Sequence, residues 1–359
     1  MTTRRAFLTG LLATGLLPKP SWADVGNPAL LAAARRQSGE HLIVGLSDQG
    51  HILFASLIPG RGHAAAAHPK RPEILAFARR PGRFADVIDC RTGARLSRLL
   101  PPEGRHFYGH GCFALDGRYL LTTENDYEAA RGVIGVWDAA KGYARVTEFD
   151  SGGVGPHDVL LLSDQILVVA NGGIETHPDS GRAKLNLPTM RSNLTYLQLD
   201  GALLEQHELP DDLRLNSIRH LTRTQDDRVG FAMQWQGAAG EMVPIVGTHA
   251  RGKRMTLLGG DDPRVLNLSG YGGSVSFSPD GTRIGVTSPR GNALQLYDSR
   301  TTALIEEHRL QDVCGLAWFG GGFVATTGRG RLLHPALKDG INREFADLAW
   351  DNHLIALTA

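Results

Sequence analysis

The chain is a succession of short apolar runs, most of which alternate apolar and polar residues and end in glycine-containing turns. Residues 109–123 have the pattern of a strand, a turn at Asp116-Gly117 and a second strand, and residues 132–138 add a third strand. The same order returns in residues 273–287 and 293–298. Because Asp-Gly pairs supply the positive-φ positions of tight hairpins, both units indicate antiparallel β-sheet.

Four antiparallel strands in each unit of roughly 40–50 residues are typical of a β-propeller blade. Candidate inner strands, which would line the central channel, occur at residues 63–68, 110–115, 157–162, 217–222, 273–277, 313–318 and 345–350. The pattern therefore predicts an all-β, seven-bladed β-propeller of the WD40/YVTN-like type.

Each end of the chain carries an incomplete unit. Residues 41–57 form a hairpin with no inner strand before it, and the last unit stops after residues 354–357. We expect these two segments to pair and close the ring, since closure removes exposed sheet edges. This gives a single propeller domain over residues 41–359, preceded by a linker over residues 24–40 that could hold a short helix near residues 28–36.

The first residues have the features of an export signal. Arg4-Arg5 precedes an apolar run over residues 8–17, and Ser21-Trp22-Ala23 offers small residues to a signal peptidase. We interpret residues 1–23 as a twin-arginine signal peptide, which places the mature protein in the periplasm. The apolar run is too short for a membrane span, which needs about 20 residues.

The charge balance excludes some partners. The chain has 38 basic and 37 acidic residues, and three of the basic ones belong to the signal. A nearly neutral mature chain gives no reason to expect nucleic acid or an anionic membrane as partner. Cys90, Cys112 and Cys314 lie far apart and are odd in number, so they fit small buried side chains better than a disulfide framework.

Four histidines recur at the start of consecutive predicted inner strands. His110 lies 47 residues after His63 and 47 before His157, and His220 has the same place relative to its turn. Inner strands line the channel, so the four imidazoles should converge near its axis. Neutral imidazoles bind zinc, copper and iron, which makes a transition-metal or cofactor site one interpretation. The alternative, a water-filled channel lined by hydrogen-bonded histidines, stays open.

A long irregular loop follows the apolar strand that ends near Ala170. Residues 171–187 combine glycines with many polar groups, and such loops are usually functional when they are ordered. We expect Leu185 and Leu187 to be buried and to hold other loop residues over the axis. The candidate ligand-binding residues on this face are Arg79, Arg105, Tyr108, Glu124, Asn125, Asn171, Glu175, His177, Arg182, Asn186 and Arg219. A structural interpretation competes for Arg105, which could pair with Glu124 and Asp126.

Catalytic motifs do not assign a reaction. The sequence lacks a Gly-x-Ser-x-Gly elbow, a phosphate-binding loop and a dinucleotide fingerprint, so no catalytic residue is named.

Several segments resemble those of an exported bacterial propeller family classed as a domain of unknown function, DUF1513. They are Arg105-His106-Phe107-Tyr108-Gly109-His110-Gly111, Gly155-Pro156-His157, residues 170–186 and Ser217-Ile218-Arg219-His220-Leu221. The resemblance implies a role in periplasmic iron uptake, with imelysin-like proteins as partners, and implies no enzymatic activity.

Together these observations predict a monomeric periplasmic binding or accessory protein for uptake of iron or another transition metal. Its histidine-lined face would hold a metal (Fe, Cu or Zn), a haem-like ligand or a partner protein. A metal-dependent oxidoreductase or lyase and a pure protein-interaction platform are the alternatives.

Overall fold

The computed structural model describes residues 20–79, 83–181 and 183–357. Over these residues the strands assemble into seven four-stranded antiparallel sheets, which confirms the seven-bladed propeller. Each sheet is one blade.

The strands follow one another in seven groups. Those near the N-terminus are β1 (Leu30–Arg36), β2 (His41–Leu46) and β3 (Ile52–Ile58). Blade 1 contains β4 (Gly62–Ala67), β5 (Glu73–Ala78), β6 (Ala85–Asp89) and β7 (Arg95–Leu99). Blade 2 contains β8 (Arg105–Ala114), β9 (Tyr119–Asp126), β10 (Arg131–Asp138) and β11 (Ala144–Asp150). Blade 3 contains β12 (Pro156–Leu161), β13 (Leu167–Asn171), β14 (Asn193–Leu197) and β15 (Leu203–Glu208).

Blade 4 contains β16 (Asn216–Arg223), β17 (Val229–Trp235), β18 (Val246–His249) and β19 (Thr256–Leu258). Blade 5 contains β20 (Ser274–Phe277), β21 (Arg283–Ser288), β22 (Ala293–Asp298) and β23 (Leu304–Arg309). Blade 6 contains β24 (Val313–Phe319), β25 (Gly322–Thr327), β26 (Arg331–Leu333) and β27 (Asn342–Glu344), and the last strand is β28 (Leu348–Ala356). Short 3-10 helices occur at Trp22–Val25, Leu115–Gly117, Ala139–Lys141, Pro178–Ser180, Leu187–Thr189, Asp211–Leu213 and Pro263–Leu268.

Blade 7 closes the ring, in the strand order β28-β1-β2-β3. The C-terminal strand pairs with β1, which in turn pairs with β2. Pairing of the two chain ends is thus confirmed, but direct pairing of residues 41–57 with the C-terminal strand is wrong. The expected linker over residues 24–40 contains β1, and residues 28–36 form no helix.

The strand β1 was not predicted, because apolar and polar residues do not alternate along it. Its first five residues, from Leu30 to Ala34, are all buried. A strand with both faces covered shows a continuous apolar run, which alternation with period two does not reveal. The last inner strand was also misplaced, since it covers Leu348–Ala356 and not residues 345–350.

The other inner strands lie within one or two residues of their predicted starts, except that β8 begins earlier, at Arg105. The turns after them have the expected chemistry. Asp116 and Gly117 have φ of 58° and 90°, which is the left-handed conformation that a tight hairpin needs. Loops between the second and third strands of the blades therefore share the end of the molecule at which the inner strands begin.

Apolar side chains of neighbouring blades form the core. The cluster between blades 7 and 1, for example, includes Leu31, Ile43 and Ile74, which are almost fully buried. In the described part of the chain, no helix has the length and apolarity needed to cross a membrane.

Candidate metal site at the propeller axis

Five histidines from five consecutive blades converge at one end of the central channel. Four of them are the predicted ones, His63, His110, His157 and His220, and the fifth is His353 of β28. Ring centroids of His63 and His353 are 4.7 Å apart, and those of His157 and His220 are also 4.7 Å apart. The predicted convergence of the four rings is confirmed.

The ring nitrogens form two overlapping groups that share His110. One group is His63, His110 and His157, and the other is His110, His220 and His353; in each, the ligand atoms lie within 4.8 Å of one another. The Nε2 atoms of His63 and His110 are 3.2 Å apart. Two nitrogens bound to one ion at about 2.1 Å are about 3.4 Å apart in a tetrahedral site, so this pair already has the spacing of two ligands of one ion.

Irregular strand pairing brings the histidines together. The pairing register shifts between Gly62 and Ala65 in β4, between Phe107 and Gly111 in β8, and between Pro156 and Asp158 in β12. His63, His110 and His157 lie inside these bulges. A bulge leaves a residue out of the regular ladder and turns its side chain in a new direction, which here is toward the axis.

The remaining two histidines have similar surroundings. In β16 the register shifts between Ile218 and His220, so that Arg219 is the extra residue. Between β28 and β1, residues 351–353 are left between the paired positions Trp350 and Leu354.

The Asp158 carboxylate orients His110. Its Oδ1 lies 3.1 Å from His110 Nδ1 and accepts a hydrogen bond from the Val159 amide at 2.8 Å. Its Oδ2 accepts one from the Leu221 amide at 2.9 Å. Since a carboxylate only accepts, His110 carries its proton on Nδ1 and presents the Nε2 lone pair to the cluster.

The other four histidines each keep a buried ring nitrogen without a hydrogen-bond partner among the described residues. These atoms are Nδ1 of His63, His157 and His220 and Nε2 of His353. All four side chains belong to residues that are at least 91% buried. Buried polar atoms are normally paired, so four unpaired ring nitrogens on the clustered histidines show capacity to bind a ligand. For His63 the unpaired atom is Nδ1, whereas its Nε2 faces His110.

Burial holds these imidazoles in the neutral form that binds metals. It lowers the pKa of His63, His157, His220 and His353 well below the ordinary histidine value. Neighbouring imidazoles lower the pKa further, because the rings would repel one another once protonated.

Gly109 leaves room for the cluster. It has a φ of +100°, and a Cβ at this position would lie 2.5 Å from Cδ2 of His63. The Gly-His pair in β8 therefore supplies one histidine of the cluster and makes space for another.

Three predicted ligand-binding asparagines have structural roles. Asn171 is fully buried and donates to the Ser151 carbonyl at 2.9 Å and to Asn193 Oδ1 at 2.9 Å. Asn186 ties the loop together, since it accepts from the Glu175 amide and donates to the Gly173 carbonyl. Asn125 connects blade 2 to the loop by donating to the Thr176 carbonyl at 3.1 Å.

Arg105 and Glu124 belong to an ion-pair network within blade 2. Glu124 is fully buried and accepts from Arg145 at 2.7 and 3.0 Å. Arg105 binds Glu148 and lies 3.5 Å from Asp126. The bonds from Arg105 and Arg145 lower the pKa of Glu148 to about 2. The structural interpretation of Arg105 therefore agrees with its contacts, and Glu124 belongs to the same network.

The loop of residues 171–187 lies, as predicted, on the face where the inner strands begin. The amide of Gly172 donates to the Gly155 carbonyl, and Ser217 Oγ donates to the Gly172 carbonyl. The expectation that Leu185 would be buried is wrong, because it is 50% exposed. Ile174 and Met190 are buried instead and fix the two ends of the loop.

The remaining candidates contact residues outside the histidine cluster. His177 faces outward, with its Nε2 3.4 Å from Glu128 and its ring against Tyr127. The Glu175 backbone is bonded within the loop, and Leu187 is half-buried. Tyr108 is buried, with its ring centroid 5.2 Å from that of His106. Arg182 lies outside the described residues.

Two predicted arginines lie close to the histidine cluster. Arg79 is 3.5 Å from Asp351, and its charge contributes to the low pKa of His63 and His353. The charge of Arg219 contributes in the same way to the low pKa of His157 and His220.

His353 is not among the histidines predicted from the sequence. The sequence did contain a pattern that could have identified His353, since this residue follows Trp350 in the last apolar segment. The misplaced inner strand at residues 345–350 hid it, because His353 then fell beyond the strand.

Comparisons with known proteins give a family and a fold. A family model described as "Protein of unknown function (DUF1513)" matches residues 56–357. A search of curated proteins gives no significant match. Among solved structures, the hydrazine synthase of Kuenenia stuttgartiensis is similar with a TM-score of 0.62 and 11% sequence identity, over 86% of this chain and 90% of that chain. BamB from Moraxella catarrhalis is similar with a TM-score of 0.53 and 12% identity, over 88% of this chain and 84% of that chain. At these identities the likeness concerns the propeller fold alone.

Proposed function

The chain belongs to the DUF1513 family of proteins of unknown function, and from this premise we propose that it binds one transition-metal ion with the five histidines at its axis. The observation that carries the proposal is the group of buried imidazole nitrogens without hydrogen-bond partners among the described residues. In a channel that held neither metal nor water, these four polar atoms would be desolvated without compensation, at about 1–3 kcal/mol each.

The arrangement of the donors supports the proposal. His110 has a carboxylate partner on the ring nitrogen that faces away from the cluster, and metal-ligating histidines usually have such a partner. The remaining ligands are neutral, buried and held by strands of a closed ring. Few rearrangements would be needed on binding, because the nitrogens of each group already lie within 4.8 Å.

The chemistry of the donor atoms predicts the order of affinity for different metals. The ligands are all imidazoles, which suit Zn, Cu, Fe and Ni, and in an all-nitrogen site affinity rises to Cu²⁺ and falls again at Zn²⁺. We therefore expect binding of Cu²⁺ to be strongest, followed by Zn²⁺ and then Fe²⁺. A role in iron uptake would require that metal availability, rather than affinity, selects iron.

The proposal is tested by elemental analysis of protein purified after native expression, without refolding. We expect about one transition-metal ion per chain. Replacing His110 and His220 together by Ala should remove the metal and preserve the circular dichroism of the β-sheets. The control is His308→Ala, on the outer strand β23, which should retain the metal. Absence of bound metal after equilibration with Cu²⁺, Zn²⁺ and Fe²⁺ would contradict the proposal.

We also propose that the protein works in the periplasm after twin-arginine export, and that imelysin-like proteins are its partners in metal uptake. The Arg4-Arg5 pair and the family resemblance support this, and residues 1–19 lie outside the described residues. Cell fractionation tests the location, since changing both arginines to lysine should retain the protein in the cytoplasm. Affinity purification from the periplasmic fraction tests the partner.

A further inference from the structure

Basic side chains gather on the face of the propeller where the histidine cluster lies. Four of them come from loops between second and third strands: Arg79 after β5, Lys184 after β13, Arg290 after β21 and Arg329 after β25. Arg219 precedes His220 in β16. Because the topology places all these loops at one end of the molecule, five blades contribute a positive charge to the same face.

Acidic groups lie on the same face, whose loops between second and third strands also carry Glu128, Glu175, Asp179 and Glu241. Asp351 lies 2.8 Å from Arg61 and 3.5 Å from Arg79, so that two arginines share one carboxylate. Asp312 lies near Arg329 and Arg61, and burial raises its pKa. These contacts are on the side of blades 1, 6 and 7.

On the side of blades 3, 4 and 5, the same face carries basic side chains whose positive charges repel one another. Lys184 is exposed at its place in the loop, yet partial burial together with the charges of Arg290 and Arg219 lowers its pKa. Arg290 stacks on the Tyr271 ring, 4.4 Å from the ring centroid. Within residues 20–79, 83–181 and 183–357, neither Lys184 nor Arg290 forms an ion pair with a carboxylate. This cationic group thus consists of Lys184, Arg219 and Arg290.

The metal site itself needs a negative charge. Imidazoles are neutral ligands, so a divalent ion held by them keeps its full charge in a buried position, and Asp158 offsets only part of it. An uncompensated charge in a low-dielectric site is costly, and an anion that binds the ion directly would reduce this cost.

We infer that the bound metal takes a small oxyanion, a carboxylate or phosphate group, which enters from the loop face and lies between the ion and the cationic group. The inference rests on the proposed metal site and specifies its ligand class. The metal supplies one contact, and Lys184 and Arg290 attract the outer oxygens. Arg219 directly precedes the proposed ligand His220 in β16.

The experiment uses the full mature chain loaded with Cu²⁺. The probes are citrate and inorganic phosphate, with glycerol as an uncharged comparison, and each is titrated by calorimetry and by the Cu²⁺ electron paramagnetic resonance spectrum. We expect citrate, phosphate or both to bind and to change the spectrum, and glycerol to do neither. Replacing Lys184 and Arg290 together by Gln should weaken anion binding at least tenfold, and added salt should also weaken it.

The matched control is Lys253→Gln, in the connection between β18 and β19 at the opposite end of the molecule. It removes an exposed charge and should leave anion affinity unchanged. Citrate binding without phosphate binding would identify a carboxylate ligand, and the reverse result would identify a phosphate ligand.

Failure of the inference can be distinguished from failure of the metal proposal. If wild-type protein binds no metal, the metal proposal is wrong. If it binds metal but neither anion changes the spectrum, only the anion inference is wrong. Equal anion affinity of metal-free and metal-loaded protein would also overturn the inference, because the loops alone would then account for binding.

Discussion

At the scale of single residues, the proposed metal site depends on groups that are not themselves ligands. Asp158 fixes the tautomer of His110 and is itself held by amides of two neighbouring blades, from Val159 and Leu221. The carboxylate thus connects the orientation of one ring to the backbone of blades 3 and 4. Gly109 contributes by having no side chain, because a Cβ at this position would collide with His63.

Replacing Asp158 by Asn tests this role. The variant has one accepting oxygen instead of two, and its NH₂ group would meet an N–H donor. His110 should lose its fixed tautomer, and metal affinity should fall about 10–100-fold, as measured by competition titration with a chelator. Asp164→Asn, an exposed position paired with Arg251, is the control. Unchanged affinity in Asp158→Asn would show that this carboxylate does not orient a ligand.

At the scale of elements, the β-bulges and the unpredicted strand β1 define the site. The bulges turn histidines out of the pleat, so that side chains from different blades meet. The strand β1 joins β28 to the rest of blade 7 and thereby holds His353 at the axis. Loss of this pairing would open the ring and remove the fifth histidine.

Leu31 of β1 offers a test of the closure. It is fully buried against the apolar side chains of blades 7 and 1. Leu31→Ala should lower the free energy of unfolding by about 2–5 kcal/mol, as measured by urea denaturation. Leu57→Ala on β3 is the control, because Leu57 is 61% exposed and its loss should change the value by less than about 0.5 kcal/mol. Equal effects of the two changes would argue against closure through β1.

At the scale of the whole molecule, the ring concentrates titratable groups from distant parts of the chain. Residues separated by almost 300 positions, such as His63 and His353, share one desolvated space. In the unfolded chain each imidazole is free to accept a proton near its ordinary pKa. In the folded, metal-free protein, burial and neighbouring rings oppose protonation.

This difference predicts a pH dependence of folding. The pKa of His63, His157, His220 and His353 is lower in the folded than in the unfolded state, whose value is near 6.5. Stability should therefore be complete above about pH 6.5 and decrease as the pH falls below it, because the unfolded state binds more protons. Each histidine contributes at most about 1.4 kcal/mol per pH unit.

The measurement is urea denaturation of metal-free protein between pH 7.5 and 5. Replacing His157 and His220 by Asn should reduce the slope, whereas His308→Ala should not. A slope that is the same in the double variant and in the wild type would show that these rings are not desolvated.

The sequence by itself determined the architecture and four of the five histidines. Alternation with period two and Asp-Gly turns are local properties, so they define blades wherever a strand has one covered face. The 47-residue spacing of His63, His110 and His157 placed these residues in register because those blades have equal lengths.

Only the tertiary structure decided what local patterns do not encode. The strand β1 is covered on both faces by other blades, so its apolar run carries no period. The place of His353 depends on a bulge between β28 and β1, which involves strands from opposite ends of the chain. Leu185 resembles a core residue in the sequence, but Ile174 and Met190 already anchor its loop, so it stays in solvent. These outcomes result from contacts between distant segments, and the order of residues within one segment does not specify them.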